Sequence, residues 1–128
     1  MQISLKTGER LFINSAVIRV DRRVNLELLN DVTFLLESHV MQEANATTPL
    51  RQLYFVVQTT MIDRKSELRA RELFTKMLGD MLETYQNVIV RSALKHCHEA
   101  YSNGRYYEAL KLARRCFMWV ACPAPLRR

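Results

Sequence analysis

Residues 44–61 read ANATTPLRQLYFVVQTTM, and the hydrophobic period changes inside them. From Pro49 onward, Leu50, Leu53, Tyr54, Val57 and Met61 recur at the spacing of one helix face. Thr48 is suited to cap that helix. Pro49 suits its first turn, where a backbone N–H would have no partner in any case. The stretch 44–49 thus reads as a linker between two kinds of structure.

Upstream of it the apolar residues alternate by two. Ile3–Ser4–Leu5–Lys6, Arg10 to Ile13, Ala16 to Val20, Val24 to Leu28 and Val32 to Leu36 are short strand-like runs. Val24–Asn25–Leu26–Glu27–Leu28 is the cleanest alternation among them. Thr7–Gly8, Asn14–Ser15 and Asn30–Asp31 supply turns, Gly8 because glycine accepts positive φ. His39 to Met41 adds a sixth short run. Five or six strands at this spacing predict an antiparallel meander or small half-barrel.

Downstream, Asp63 to Ser66 interrupts the first helix and offers the next cap. Leu68, Phe74, Met77, Leu78, Met81, Leu82 and Tyr85 predict a second apolar stripe. Asn87 caps a third helix, with Val88, Leu94 and Tyr101 facing inward, and Asn103–Gly104 stops it. Tyr106, Leu110, Ala113 and Phe117 continue as a fourth, ended by Pro123 and Pro125. The stretch 100–110 has the flavour of a tetratricopeptide hairpin. One copy is too few for an array, so it reads as one antiparallel helix pair. The expected class is α+β by segregation: an N-terminal antiparallel meander of five or six short strands followed by about four α-helices. Residues 1–43 form a β-rich half and 44–122 a helical half. The two pack as one domain with one sheet face against the first helix or two, and 123–128 form a frayed basic tail.

A chain of 128 residues can bury a core without staples. Its 48% hydrophobic and 25% charged residues are ordinary for a globular protein. The net charge of +6 is unevenly placed: residues 1–43 carry net −1 and residues 44–128 net +7. Cys97, Cys116 and Cys122 are odd in number and lack a CxxC pair, which fits free thiols in a reducing compartment. The start MQISLKTGER has no apolar signal-peptide core, and no run is long enough to span a membrane. A cytoplasmic location, with no membrane association, is expected.

No catalytic constellation stands out. His39 has Glu37 and Glu43 near it in sequence, a coincidence common in proteins. In His96–Cys97–His98–Glu99 the two histidines lie about 200° apart on a helix, so they cannot chelate one ion. Cys97 then reads as a small buried residue with histidines at the rim. Gly8, Gly79 and Gly104 are too far apart for a phosphate loop. The expectation is therefore no enzyme, no cofactor and no metal.

What remains is positive charge. Arg64, Lys65, Arg69 and Arg71 cluster at the start of the second helix, with only part of them on one face. Lys111, Arg114 and Arg115 share a face at i, i+3, i+4. Arg19, Arg22 and Arg23 mark a strand turn, and Arg51 adds a further base on the first helix. A solvated surface explains any one group; together they point to a polyanion such as RNA. No aromatic pair or GXXG loop of the sequence-reading kind accompanies them. The RNA-contact candidates are thus Arg19, Arg22, Arg23, Arg51, Arg64, Lys65, Arg69, Lys111, Arg114 and Arg115. Exposed strand edges could also pair with a second copy to make a homodimer.

Three stretches carry a resemblance: Gly8–Glu9–Arg10–Leu11–Phe12–Ile13–Asn14 with Ala16 to Val20; Leu26 to Glu37, containing NDVTFLLE; and Thr47 to Gln58, containing TTPLRQLYF. Together they resemble the FlbT family of bacterial flagellin-synthesis regulators, over roughly residues 3–115. The resemblance implies a post-transcriptional repressor that binds the 5′ untranslated region of flagellin mRNA and promotes its degradation. It also implies a link to a second flagellin regulator, FlaF. An adaptor or chaperone acting on flagellin or on that regulator is the alternative. The end of the chain, apolar from Cys116 to Cys122 with a basic tip, departs from the family pattern.

Overall fold

The computed structural model describes residues 2–13, 16–30 and 32–121 of the chain. Among them are five strands, β1 (Gln2–Leu5), β2 (Arg10–Ile13), β3 (Ala16–Arg19), β4 (Val24–Glu27) and β5 (Phe34–Leu36), all before the helices. Four α-helices follow: α1 (Pro49–Ile62), α2 (Glu67–Thr84), α3 (Val88–Ser102) and α4 (Tyr106–Ala121). The α+β class is as expected. Pro123, Pro125 and the basic tail lie outside the described residues.

All strand pairs are antiparallel, and they form two small sheets. β1 pairs with β4, Ile3 opposite Leu26; the second sheet has the order β3-β2-β5. Only β2 and β3 are neighbours both in sequence and in a sheet. The alternation explains how the layers stack. Ile3 and Leu5 from one sheet meet Leu11 and Phe34 from the other in a small core. The opposite face of the second sheet sends Leu35 and Phe12 into the helical core. Phe34 also stacks on Tyr107 of α4, with ring centroids 5.7 Å apart. The strand layers therefore meet α4 as well as α1.

α1 and α3 start at the caps expected for them, whereas Ser66 at the start of α2 makes no side-chain cap bond. The Thr48 hydroxyl accepts from the Arg51 amide at 3.2 Å, and Pro49 sits in the first turn. The Asn87 side chain accepts from the amides of Ile89 and Val90 at 2.9 and 3.1 Å. Gly104, with φ +78°, ends the α3 hairpin. The core stripes are Leu50, Leu53, Tyr54, Val57 and Met61 on α1, and Ala70, Phe74, Leu78 and Met81 on α2. On α3 they are Val90, Leu94, Cys97 and Tyr101. Two expected core residues are not there. Leu68 is 79% exposed, because it lies well round the helix from the Phe74 stripe, and Val88 is 78% exposed while Val90 turns inward. Phe74 and Tyr101 stack at 3.8 Å, and the Tyr101 hydroxyl shares a 2.8 Å hydrogen bond with buried Thr60, tying α1, α2 and α3 together.

The expected strand at His39 to Met41 is absent. Glu37–His39 is instead a 3-10 turn, in which the Val40 amide donates to the Glu37 carbonyl at 3.1 Å. The Met41 backbone finds its partner in a side chain of α1. Its N–H donates to Gln58 Oε1 at 2.6 Å, and its carbonyl accepts from Gln58 Nε2 at 3.0 Å. A buried glutamine thus does for Met41 what a neighbouring strand would have done.

Candidate nucleic-acid interface

Tyr107, Lys111 and Arg114 follow one another up α4 at spacings of four and three, so they occupy one stripe of its surface. The Lys111 ammonium stands 5.0 Å from the centroid of the Tyr107 ring, which also stacks on Phe34. Arg51 reaches this stripe from α1, its guanidinium 4.8 Å from the Phe117 ring centroid. Phe117 meets Tyr54 edge-on at 5.5 Å. Tyr54 is buried, and its hydroxyl donates to the His39 carbonyl. Burial raises the Tyr54 pKa and nearby Arg114 opposes that shift, which places the Arg114 charge beside the same ring. A hollow of about 80 Å³ opens here between His39, Tyr107, Lys111 and Arg114. It is basic and aromatic at once. Cations with aromatic faces beside them are the pairing that grips a phosphate backbone and a stacked base.

The structure therefore brings Lys111 and Arg114 to one hollow, with Arg51 on the Phe117 ring beyond it. Arg115 is exposed on α4 next to this stripe. The other candidates lie apart from it. Arg19 ends β3, and Arg22 and Arg23 follow in the exposed link to β4, with Arg22 at 3.5 Å from Asp21. Lys65 and Arg69 are exposed around the start of α2, and Arg69 rims an apolar hollow with Phe55 and Leu73. Arg64 opens a 3-10 turn, Arg64–Ser66, that leads into α2, but its side chain lies outside the described residues.

The sequence cluster at Arg64–Arg71 dissolves for another reason. Arg71 points inward, donating to the Tyr106 hydroxyl, pairing with Glu67 at 3.9 Å and standing over Tyr101. It joins α2 to the α3–α4 hairpin. Arg91 likewise donates to the Leu82 and Tyr85 carbonyls and closes the end of α2, and Arg105 pairs with Glu99 and Glu108. Charge order along the chain does not show this sorting. Phe117, expected only as part of the fourth helix, also carries Arg51 on its ring, while the Tyr107–Lys111–Arg114 spacing is visible in the sequence.

Cys97 is buried and donates weakly to the Ala109 carbonyl at 3.4 Å, while His96 and His98 are exposed. Burial pushes the Cys97 thiol up to about 12 and the Cys116 thiol to about 11. Among the described residues no group of three or more His, Cys, Asp or Glu side chains is placed to hold a metal ion. No helix among them is long and apolar enough to cross a membrane.

These features define a small α+β protein whose helical layer presents a basic, aromatic strip. The chain belongs to the FlbT family: the model of the flagellar protein FlbT matches residues 1–119. It is 50% identical over 114 residues to the probable flagellum biosynthesis repressor protein FlbT of Brucella anthropi, covering 89% of this chain and 75% of that one. The Rhizobium johnstonii protein of the same name is 50% identical over 114 residues, covering 89% and 76%. That of Chelativorans sp. is 47% identical over 116 residues, covering 91% and 80%. No solved structure matches.

Proposed function

We propose that this protein represses flagellum biosynthesis after transcription, in the cytoplasm, by binding the 5′ untranslated leader of flagellin mRNA and promoting its degradation. Repression is what the names of its relatives state of them. The RNA step rests on one observation: Lys111 and Arg114 line one hollow with Tyr107, and Arg51 lies over the Phe117 ring further along α4. Their charges contact phosphates, and Tyr107 and the guanidinium planes offer surfaces for unpaired bases. The protein marks the message and a cellular nuclease cuts it.

Binding of labelled flagellin leader RNA across a salt series tests this. Three contacted phosphates on a single strand give a slope of about −2 in log K against log salt, and each of Arg51→Ala, Lys111→Ala and Arg114→Ala reduces it by about 0.7. An affinity insensitive to salt, or a slope unchanged in all three variants, sinks the assignment. Cleavage of the RNA by the pure protein would contradict the role given to a separate nuclease.

A second reading is an adaptor for flagellin or for FlaF, with an indirect effect on the message. Its support is the apolar hollow of about 190 Å³ between α1 and α2, lined by Phe55, Val56, Ala70 and Leu73. Retention of flagellin or FlaF on the immobilised protein, with no leader RNA retained, would favour it.

A further inference from the structure

β3 is an edge strand, with β2 as its only strand neighbour among the described residues, and all four of its residues are exposed. Val17 is 60% and Ile18 41% exposed, on opposite faces of the sheet. The hydrogen bonds beside it fix which backbone groups are spare. Val20 faces β2, because its N–H donates to the Glu9 carbonyl at 3.3 Å and its carbonyl accepts from Gly8 at 2.8 Å. By alternation Ile18 and Ala16 also face β2, and Val17 and Arg19 turn their N–H and C=O groups outward. A free row of donors and acceptors, with apolar side chains on both sides of it, is a template for one more strand.

The charge around this edge is one-sided. Arg19 sits directly opposite Arg10 in the β2–β3 ladder, an arrangement that like charges disfavour. Two carboxylates nearby are already engaged: Glu9 accepts from the Lys6 amide at 2.9 Å, and Asp21 pairs with Arg22. Glu37 accepts from the Arg10 backbone at 3.1 Å. Among the described residues no carboxylate lies within 4.0 Å of the guanidinium of Arg10, Arg19 or Arg23.

We propose that the β3 edge binds an extended, acidic protein segment that adds as a strand. Backbone pairing runs through Val17 and Arg19, and its carboxylates meet Arg10, Arg19 and Arg23. A second copy fits less well, since two β3 edges would bring both arginine sets together. RNA fits less well because it makes no use of the backbone row or of Val17 and Ile18. The inference is independent of the RNA reading, which rests on α1 and α4.

The probe is a synthetic peptide of alternating valine and glutamate, titrated into the full chain and followed by amide NMR and fluorescence anisotropy. A sister peptide with lysine for glutamate is the control. Shifts and slowed exchange at the Val17 and Arg19 amides are expected, with the lysine peptide at least about tenfold weaker. Val17→Pro removes an outward N–H and leaves the β2–β3 ladder whole, so the variant keeps its fold and loses binding by about tenfold or more. Arg19→Glu weakens the glutamate peptide and strengthens the lysine one. Equal binding of both peptides, an undisturbed edge up to about 1 mM peptide, or binding unchanged in Val17→Pro overturns the proposal. So does sedimentation showing that the edge is covered by a second copy. So does single-stranded RNA shifting the β3 amides while the glutamate peptide leaves them unmoved.

Discussion

In the helical layer, Leu53, Val57, Phe74, Leu94 and Cys97 are wholly buried in one continuous core that draws on every helix. In the strand layers, four buried residues, Ile3, Leu5, Leu11 and Phe34, make up a separate small core, and β3 is exposed along its length. The helices can thus hold their own shape and a fixed surface strip. The strands are presented by a few attachments: Leu35, Phe12, the Phe34–Tyr107 stack and the Gln58 clamp on Met41. Rigidity lies in the half that carries the basic strip, and spare backbone valence lies in the half that carries the open edge.

That contrast is open to direct attack. Phe74→Ala empties the site between α2 and α3 and is expected to cost about 4 kcal/mol, lowering the whole helical unfolding transition. Leu5→Ala, equally buried, is expected to cost about 2–3 kcal/mol and to loosen the strands first. Urea titrations followed by helical circular dichroism, with hydrogen exchange at the strand amides, read the two apart. If Leu5→Ala lowers both signals together, and as far as Phe74→Ala does, the layers are one cooperative unit.

Gln58→Met tests the junction. It keeps the side chain's volume but leaves the Met41 N–H and carbonyl without their partners, at an expected cost of about 2 kcal/mol. Exchange should quicken at Val40 and Met41 before it does in α1. Unchanged stability would mean that water replaces the clamp at once and that the strands need no such tie.

Much of this was legible in the chain. The five strands, the Thr48 and Asn87 caps and the Asn103–Gly104 stop follow from local rules that act over a few residues. Partner choice was not legible. Alternation says which face of β1 is buried but not that it pairs with β4 across about twenty residues, a choice made by two sheets closing over one small core. Gln58 reads as a polar interruption in an apolar helix, and only the fold supplies Met41 to it. The basic strip was half visible. Lys111 and Arg114 share a face by spacing alone, whereas Arg51 is carried onto Phe117 by the packing of α1 on α4. Arg71 left the charge cluster because Tyr106, far along the chain, stands beside it.

Alkaline pH should affect the two layers unequally. Cys97 and Cys116, both in the helical core, have thiols raised from 9.0 to about 12 and about 11 by burial. Once unfolded they ionise near 9.0, while the folded protein keeps their protons. The unfolded state then binds fewer protons, so stability is full below pH 9 and falls as pH rises toward 11–12. The slope approaches about 1.4 kcal/mol per pH unit for each thiol. Urea midpoints at about pH 8 and pH 10 measure it, and Cys116→Ala should flatten it by nearly half. Residues 1–43 contain no cysteine, so strand opening measured by exchange should not share the slope. A shared slope would again join the layers.

The smallest effect concerns glycine. Gly79 lies in the middle of α2 on its exposed face, and a Cβ there would meet nothing within 4 Å. It has ordinary helical backbone, so it contributes flexibility to the unfolded chain without any shape that only glycine can take. Gly79→Ala should therefore stabilise by about 0.5–1 kcal/mol, a rise of a few degrees in Tm. Gly8 in the strand half has φ +79°, and alanine there should instead destabilise, by about 1 kcal/mol, because the side chain strains a left-handed turn. The opposite signs isolate the backbone's share of the contrast between layers. The helical half keeps stability in reserve at a position its fold does not use, whereas the strand half spends its glycine on the turn that brings Gly8 against Val20 and sets the β3 edge. If Gly79→Ala gives no gain, the exposed face of α2 is doing something that the bare helix does not show, and that face becomes the next place to look for a partner.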